Sequence, residues 1–346
     1  MNKFPTDYSY LNGCPLSDAS IRSENSDFLV KEIPAFEPDG EGEHWYLKIE
    51  KDGENSDWIA KQLAIYFNVS SKEIGYAGKK DRHAITQQWF SVCLPGVKTI
   101  DISAFDTDKV RVLAVEKHSR KLRTGALKGN CFQIRLKDVS DDVDLEKRLS
   151  LIVDGVPNYF GEQRFGIDGG NLRRGVALLK GEFKERNRTK KGLYISAVRS
   201  WLFNHMLSNR LKHSLWSDVM AGDVVMLDGT KSHFVVDDID DIKRRLQEHD
   251  LHITGALWGR GRSICEAQAE LWEQEQVKGF NEITAALEKA GLSQERRALR
   301  VLPKNLEYKK EQDGIWLISF ELPPGAFATS VLRELCNISN NAGRNR

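Results

Sequence analysis

The stretch "GYAGKKDRHAITQQW", Gly75 to Trp89, sets one carboxylate, Asp81, among four basic side chains: Lys79, Lys80, Arg82 and His83. Cationic neighbours favour an ionised carboxylate. An ionised carboxylate at neutral pH suits a nucleophile or a general base. Gly75 and Gly78 just before it imply a shaped loop. Taken alone, the same pattern also describes a solvated acid in a lysine-rich turn.

Other stretches pair polar and aromatic groups. In "GALKGNCFQI", Asn130 and Phe132 lie two residues apart, on one face of a strand, where an amide and a ring could read and stack a nucleobase. The fragment equally fits a turn entering a strand with a core phenylalanine. "GVPNYFGEQRFG", Gly155 to Gly166, packs Asn158, Tyr159, Phe160, Gln163 and Arg164 between glycines. Loops this dense in polar and aromatic groups often carry function; the rings could also cover a domain junction. "LPPGAFATSVLREL" puts Phe327 between a glycine turn and a helix, and "DFLVKEIP" offers Phe28 and Glu32 at the start of a strand.

These residues need elements to position them. "HWYLKIE" alternates, with Trp45, Leu47 and Ile49 on one face, and reads as a half-buried strand. "ENSDWIAKQLAIYF" reads as a helix capped by Asn55 or Ser56, burying Trp58, Ile59, Leu63 and Tyr66. "QQWFSVCL", "VRVLAV" and "NCFQIRL" read as strands, the last with Asn130, Phe132, Ile134 and Leu136 on one side. "GLYISAVRSWLFNHMLSNRL" carries Ile195, Val198, Leu202 and Met206 at helical spacing, and "GDVVMLDGTKSHFVV" reads as a hairpin turning at Asp228-Gly229. "EAQAELWEQEQ" and "NEITAALEKAG" read as helices, and "GIWLISFELP" returns to strand. The pattern predicts a mixed α/β protein in which an α/β unit at 155–303 interrupts a strand-rich domain formed by 1–154 and 304–346.

Composition narrows the function. The chain has 346 residues, 29% charged and 40% hydrophobic, and a net charge of +1, a soluble globular balance. Charge is unevenly spread. Glu24 to Asp57 holds eleven acids against three bases, Lys109 to Lys137 nine bases against one acid, and Arg164 to Arg199 ten bases against three acids. Such a division suits a polyanionic partner, and "KHSRKLR" and "KERNRTKK" could meet phosphates. Five scattered cysteines, none in a CxxC pair, argue against a zinc site and for a reducing compartment. "MNKFPTDYSY" has no signal-like apolar region and no run is long enough to span a membrane, so the expected location is the cytoplasm. No P-loop, GxGxxG, HExxH or GxSxG motif occurs, and the eight histidines lack ligand spacing, so neither a nucleotide cofactor nor a metal is indicated.

Six segments together resemble the tRNA pseudouridine synthase D (TruD) family: "DFLVKEIP", "GYAGKKDRHAITQQW", "GALKGNCFQI", "GVPNYFGEQRFG", "SAVRSWLFN" and "LPPGAFATSVLREL". They follow the family's order from residue 27 to residue 335. The resemblance implies a pseudouridine synthase catalytic domain, built on a largely antiparallel mixed sheet, with a family-specific α/β domain inserted. It implies isomerisation of uridine to pseudouridine at position 13 of transfer RNA, in the D-arm, without cofactor or metal. The expected partner is transfer RNA, with no membrane, and the chain is expected to act as a monomer. By resemblance, Asp81 is the catalytic aspartate, with Arg22 as the basic residue beside it. Phe28, Glu32, Asn130, Phe132 and Phe327 fall at the bound uridine, with Phe132 in the place a stacking tyrosine takes in other pseudouridine synthases. Two other readings compete: an RNA binder without chemistry, which would not need Asp81, and a methyltransferase, which would need a cofactor-binding glycine motif.

Overall fold

The computed structural model describes residues 4–340. The chain divides into two compact units. One comprises Pro15–Val153, Pro303–Gly325 and Leu335–Arg346; the other comprises Met1–Cys14, Asp154–Leu302 and Ala326–Glu334. This division departs from the expected boundaries at two segments. Residues before Pro15 and the stretch Ala326–Glu334 belong with 154–302, because Arg333 donates to the carbonyls of Tyr8 and Ser9 and Ser330 Oγ donates to the carbonyl of Tyr159.

The first unit is organised by a mixed sheet. Its strands run in the order Lys304–Gln312, Ile315–Leu322, Leu127–Leu136, Phe28–Pro34, Ile85–Cys93, His44–Asp52 and Val110–His118, with Gly75–Tyr76 added beside Ile85–Cys93. All neighbours are antiparallel except Phe28–Pro34 and Ile85–Cys93. Register settles which side chains share a face, since directly opposed residues point the same way. Phe28 opposes Ile134, Val30 opposes Phe132, and Glu32 opposes Asn130. Across the next two pairings, Val30 opposes Thr86 and Thr86 opposes Lys51. That one face therefore carries Phe28, Glu32, Asn130 and Phe132 at one end, then Thr86 and Lys51, then Ile49, Leu47 and Trp45.

The helix Ser56–Tyr66 covers the aliphatic end of that face, where Ile59 and Leu63 pack with Leu47, Ile49, Phe90 and Val92. The predicted helix is present, but Trp58 is 39% exposed. The buried stripe is Ile59, Ala60, Leu63 and Ala64, and Trp58 falls outside it on the helical wheel. The other sheet face is covered too: Tyr46 is buried in a cluster with Trp89, Ala77 and Leu122. A short strand, Asp18–Ile21, pairs in parallel with Asn337–Asn340 and is bridged at Ser20 to Lys137.

The second unit is built around the helix Arg188–Lys212, which reads as apolar on two sides and is buried accordingly. Trp201, Leu202 and Met206 pack with the helices Gly170–Leu179 and Asn281–Lys289, and Phe203 and Leu207 pack toward a four-stranded antiparallel sheet. That sheet orders His233–Val235, Val224–Leu227, Leu251–Leu257 and Glu295–Ala298, and its first pair is the expected hairpin. Among the described residues no helix is long and apolar enough to cross a membrane.

Candidate active site

Asp81 sits on the loop between Gly75–Tyr76 and Ile85–Cys93. Gly75 must lack a side chain, because a Cβ there would lie 2.3 Å from the Leu122 carbonyl oxygen. Beyond it the loop is tied down residue by residue. Gln88 Nε2 donates to the Gly78 carbonyl at 3.0 Å, and the Lys80 N–H donates to Ser56 Oγ at 3.0 Å. Ser56 Oγ in turn donates to Gln88 Oε1 at 2.6 Å. Ser56 opens its helix, yet its hydroxyl serves this loop, and neither it nor Asn55 makes a side-chain cap. Arg82 Nε donates to the Gly53 carbonyl at 3.1 Å.

Three cations around Asp81 do different work. Arg22 Nη2 donates to Asp81 Oδ2 at 2.7 Å, and the His83 N–H donates to Oδ1 at 3.3 Å. The Arg22 side chain is 5% exposed and that of Asp81 27%, so one end of the pair is dry and the carboxylate faces partly outward. Arg22 has a positive φ of 59° at the end of Asp18–Ile21, and its guanidinium lies 4.1 Å from the centre of the Phe28 ring. Burial lowers the basicity of Arg22, and Asp81 opposes that shift. Phe28 thus gives a ring face to Arg22, a cation–π contact that sets the height of the guanidinium.

Lys80 turns away from Asp81 to Glu32, Nζ to Oε2 at 2.6 Å, with side chains 6% and 1% exposed. Glu32, expected at the uridine, is here the buried anchor of the loop's lysine, and its other oxygen accepts the Trp89 N–H at 3.4 Å. Lys79 pairs with Asp57 at 2.6 Å on the exposed side.

Lys51 is the residue that sequence reasoning missed. It is fully buried, and its ammonium donates to the Glu54 carbonyl at 2.5 Å and to the Asp81 carbonyl at 3.4 Å. Burial pushes its pKa down to about 8, against the pull of Asp81. The signal was present: Lys51 continues the parity of Trp45, Leu47 and Ile49, a charge in phase with a buried face.

Asn130 and Phe132 stand on the same sheet face as Glu32 and Phe28. Asn130 Oδ1 is buried and has no hydrogen-bond partner among the described residues. Phe132 is buried, edge-on to Phe28 with centroids 6.2 Å apart and 5.6 Å from Phe320. Phe327 belongs to the second unit, where it meets Phe160 edge-on at 5.9 Å. Arg22, Phe28, Glu32, Asp81, Asn130 and Phe132 thus lie in one unit and Phe327 in the other. Among the described residues no group of three or more His, Cys, Asp or Glu side chains is placed to hold a metal ion.

The family model for tRNA pseudouridine synthase D (TruD) matches residues 7–189 and 183–335. The chain belongs to the tRNA pseudouridine synthase D family. The tRNA pseudouridine synthase D of Hydrogenovibrio crunogenus is 44% identical over 333 residues, spanning 96% of each chain. That of Shewanella oneidensis is 45% identical over 328 residues, 94% of this chain and 88% of its own. A solved structure from Methanosarcina mazei, assigned to the same family, superposes with a TM-score of 0.71 over 98% of this chain and 97% of its own. At 21% identity that likeness establishes a shared mixed α/β fold.

Proposed function

We propose that this enzyme isomerises uridine to pseudouridine in transfer RNA, at position 13 of the D-arm, with Asp81 as the reacting carboxylate. The observation that carries this reading is the grip on Asp81: one oxygen on a buried guanidinium, the other on a backbone N–H, on a loop tied to its surroundings. A fixed, ionised carboxylate suits either attack on C1′ or removal of the C2′ proton. The N1–C1′ bond breaks, the uracil turns, a C5–C1′ bond forms, and the proton lost from C5 is matched by one gained at N1. Atoms and oxidation level balance without water or a redox partner.

The target base must leave its stack, at a cost of roughly a few kcal/mol. Phosphate contacts offset that cost. The first turn of the helix Arg188–Lys212 supports this use. It holds Arg188, Lys190 and Lys191 and no acid. Cations at a helix N-terminus oppose the macrodipole. By contrast, the helix Asp142–Leu151 opens on Asp142 and Asp144 and closes near Arg148, the favourable order. Basic residues kept where they cost stability suit an external polyanion.

Asn130 Oδ1, buried without a partner among the described residues, suits the N3–H of a uracil. Phe132 supplies aromatic surface for the base, Phe28 acts through Arg22, and Glu32 through Lys80. In this reading 155–303 is an insertion in the catalytic domain, and the enzyme works as a cytoplasmic monomer.

Asp81→Asn tests the assignment. It is expected to abolish pseudouridine formation, mapped by carbodiimide treatment and primer extension on tRNA, while RNA affinity stays within a few-fold of the parent. Continued conversion by the variant would sink the role of Asp81. A parent protein that binds tRNA but converts no uridine would leave only a binder.

A further inference from the structure

The connection from Val110–His118 to Leu127–Leu136 carries most of the "KHSRKLR" run and leads into the strand that holds Asn130 and Phe132. Its backbone is fastened along its length. Tyr46 Oη donates to the Arg120 carbonyl at 2.9 Å, and the Leu122 N–H donates to Ser91 Oγ at 3.0 Å. The Gly125 N–H donates to the Ala77 carbonyl at 2.7 Å. Leu122 is buried with Tyr46, Ala77 and Trp89. Ala77 stands four residues before Asp81. The connection and the loop of Asp81 are thus held to one another by backbone and apolar contacts, and its cations are left out of that bond.

Arg120, Arg123 and Lys128 are exposed, and among the described residues their side chains make no ion pair or hydrogen bond. Lys121 differs, being half-buried and donating to the Lys72 carbonyl. Asp39, the acid that lies against this connection, is already engaged by the Ser119 N–H and hydroxyl and by His118. Like charges along a fixed frame repel one another, and a polyanion relieves that repulsion.

Lys128 has a particular place among them. Ile33 opposes Gly129, but the next residue, Pro34, opposes Leu127, so Lys128 is the extra residue of a β-bulge. On the other side the pairing with Ile315–Leu322 ends at Asn130. Bulges re-aim a side chain out of the ladder. Gly129, between Lys128 and Asn130, must lack a side chain, because a Cβ there would lie 2.4 Å from the Leu322 carbonyl oxygen. The backbone that spaces the two is therefore confined. Two residues of strand span about 6–7 Å, comparable to the reach from a nucleobase across its ribose to its own phosphate.

We propose that Lys128 seats a phosphodiester next to the target uridine, and that Arg123 and Arg120 seat phosphates further along the same RNA strand. This rests on the reading of the chain as a tRNA-modifying enzyme with Asn130 at the uracil. It places the grip on the RNA backbone on a frame that is itself hydrogen-bonded to the loop of Asp81.

The test is a methylphosphonate scan, which neutralises one linkage at a time in a substrate RNA carrying the target uridine. Affinity is measured with the Asp81→Asn protein, with and without Lys128→Gln. The expected result is a linkage beside the target uridine at which neutralisation weakens binding about tenfold when Lys128 is present and has no effect in the Lys128→Gln variant. Lys128→Gln is also expected to lower the slope of log affinity against log salt by about 0.7–0.9, and the joint Arg120→Gln, Arg123→Gln variant by roughly twice that. Lys128→Arg, which keeps the charge, retains the slope. In the joint arginine variant the linkage beside the uridine keeps its effect, and linkages further along lose theirs. Coupling of Lys128 only to a distant linkage, or additive losses at every linkage with an unchanged slope, overturns the subsite. If that happens while the parent converts uridine, the function stands and only the subsite falls. If the parent neither binds nor converts tRNA, both fall together.

Discussion

Lys51 makes the sharpest prediction, because its replacement leaves stability at neutral pH little changed while its functional effect is large. Its pKa falls from 10.5 to about 8 on burial, which corresponds to about 3 kcal/mol of destabilisation while the ammonium stays charged. Lys51→Met removes that cost. It also strips a donor from the carbonyls of Glu54 and Asp81, at roughly 1–3 kcal/mol each if no water replaces it. Both residues are partly exposed, so water recovers some of this. The net change at pH 7 is therefore small.

The pH dependence separates the two contributions. Below pH 8 the native and unfolded states both hold the Lys51 proton, and the penalty is present in full. Between about 8 and 10.5 the unfolded chain holds more protons, so the parent gains stability relative to Lys51→Met by about 1.4 kcal/mol per pH unit. Denaturant unfolding of both proteins at about pH 7, 8, 9 and 10 reads this difference directly. Pseudouridine turnover at neutral pH is expected to fall about 10–100-fold in the variant, since a slack loop misplaces Asp81. Parallel stability curves across that range, together with undiminished turnover, would refute the reasoning.

Glu32→Gln leaves Lys80 charged and buried, and is expected to cost about 3–5 kcal/mol in denaturant unfolding; adding Lys80→Met should recover most of it. Equal losses in the single and double variants would mean that the pair does not anchor the loop. Phe132→Ala removes a buried ring lodged between Phe28 and Phe320 and is expected to lower stability by about 3–5 kcal/mol, with activity lost alongside. If it melts far below the parent while activity per folded molecule is unchanged, Phe132 serves the core and not the base.

Much of this arrangement was legible in the sequence, for reasons that can be traced. "HWYLKIE" and "NCFQIRL" alternate cleanly, and period-two patterning fixes which side of a strand is buried. The long helix of the second unit announced itself through Ile195, Val198, Leu202 and Met206, all buried. Trp58 misled because size outweighed phase: the helix buries small Ala60 and Ala64 in line with Ile59 and Leu63. The sharing of cations in "KKDRH" was not legible. Lys80 reaches Glu32 and Lys79 reaches Asp57, partners that only the folded register brings near. Lys51 was passed over because a lysine at a strand end is ordinarily read as solvated. The association of Ala326–Glu334 with the second unit was equally hidden, since it depends on hydrogen bonds to Tyr8, Ser9 and Tyr159 far away in the chain.

The parallel pairing of Asp18–Ile21 with Asn337–Asn340 ties together two segments far apart in the sequence. Arg22, the partner of Asp81, leaves directly from the first of these strands. The placement of its guanidinium is therefore braced by a strand that touches neither Asp81 nor its loop. A substitution that loosens Asn337–Asn340 is thus a remote handle on the Arg22–Asp81 pair, acting through backbone pairing and not through any side chain near the carboxylate.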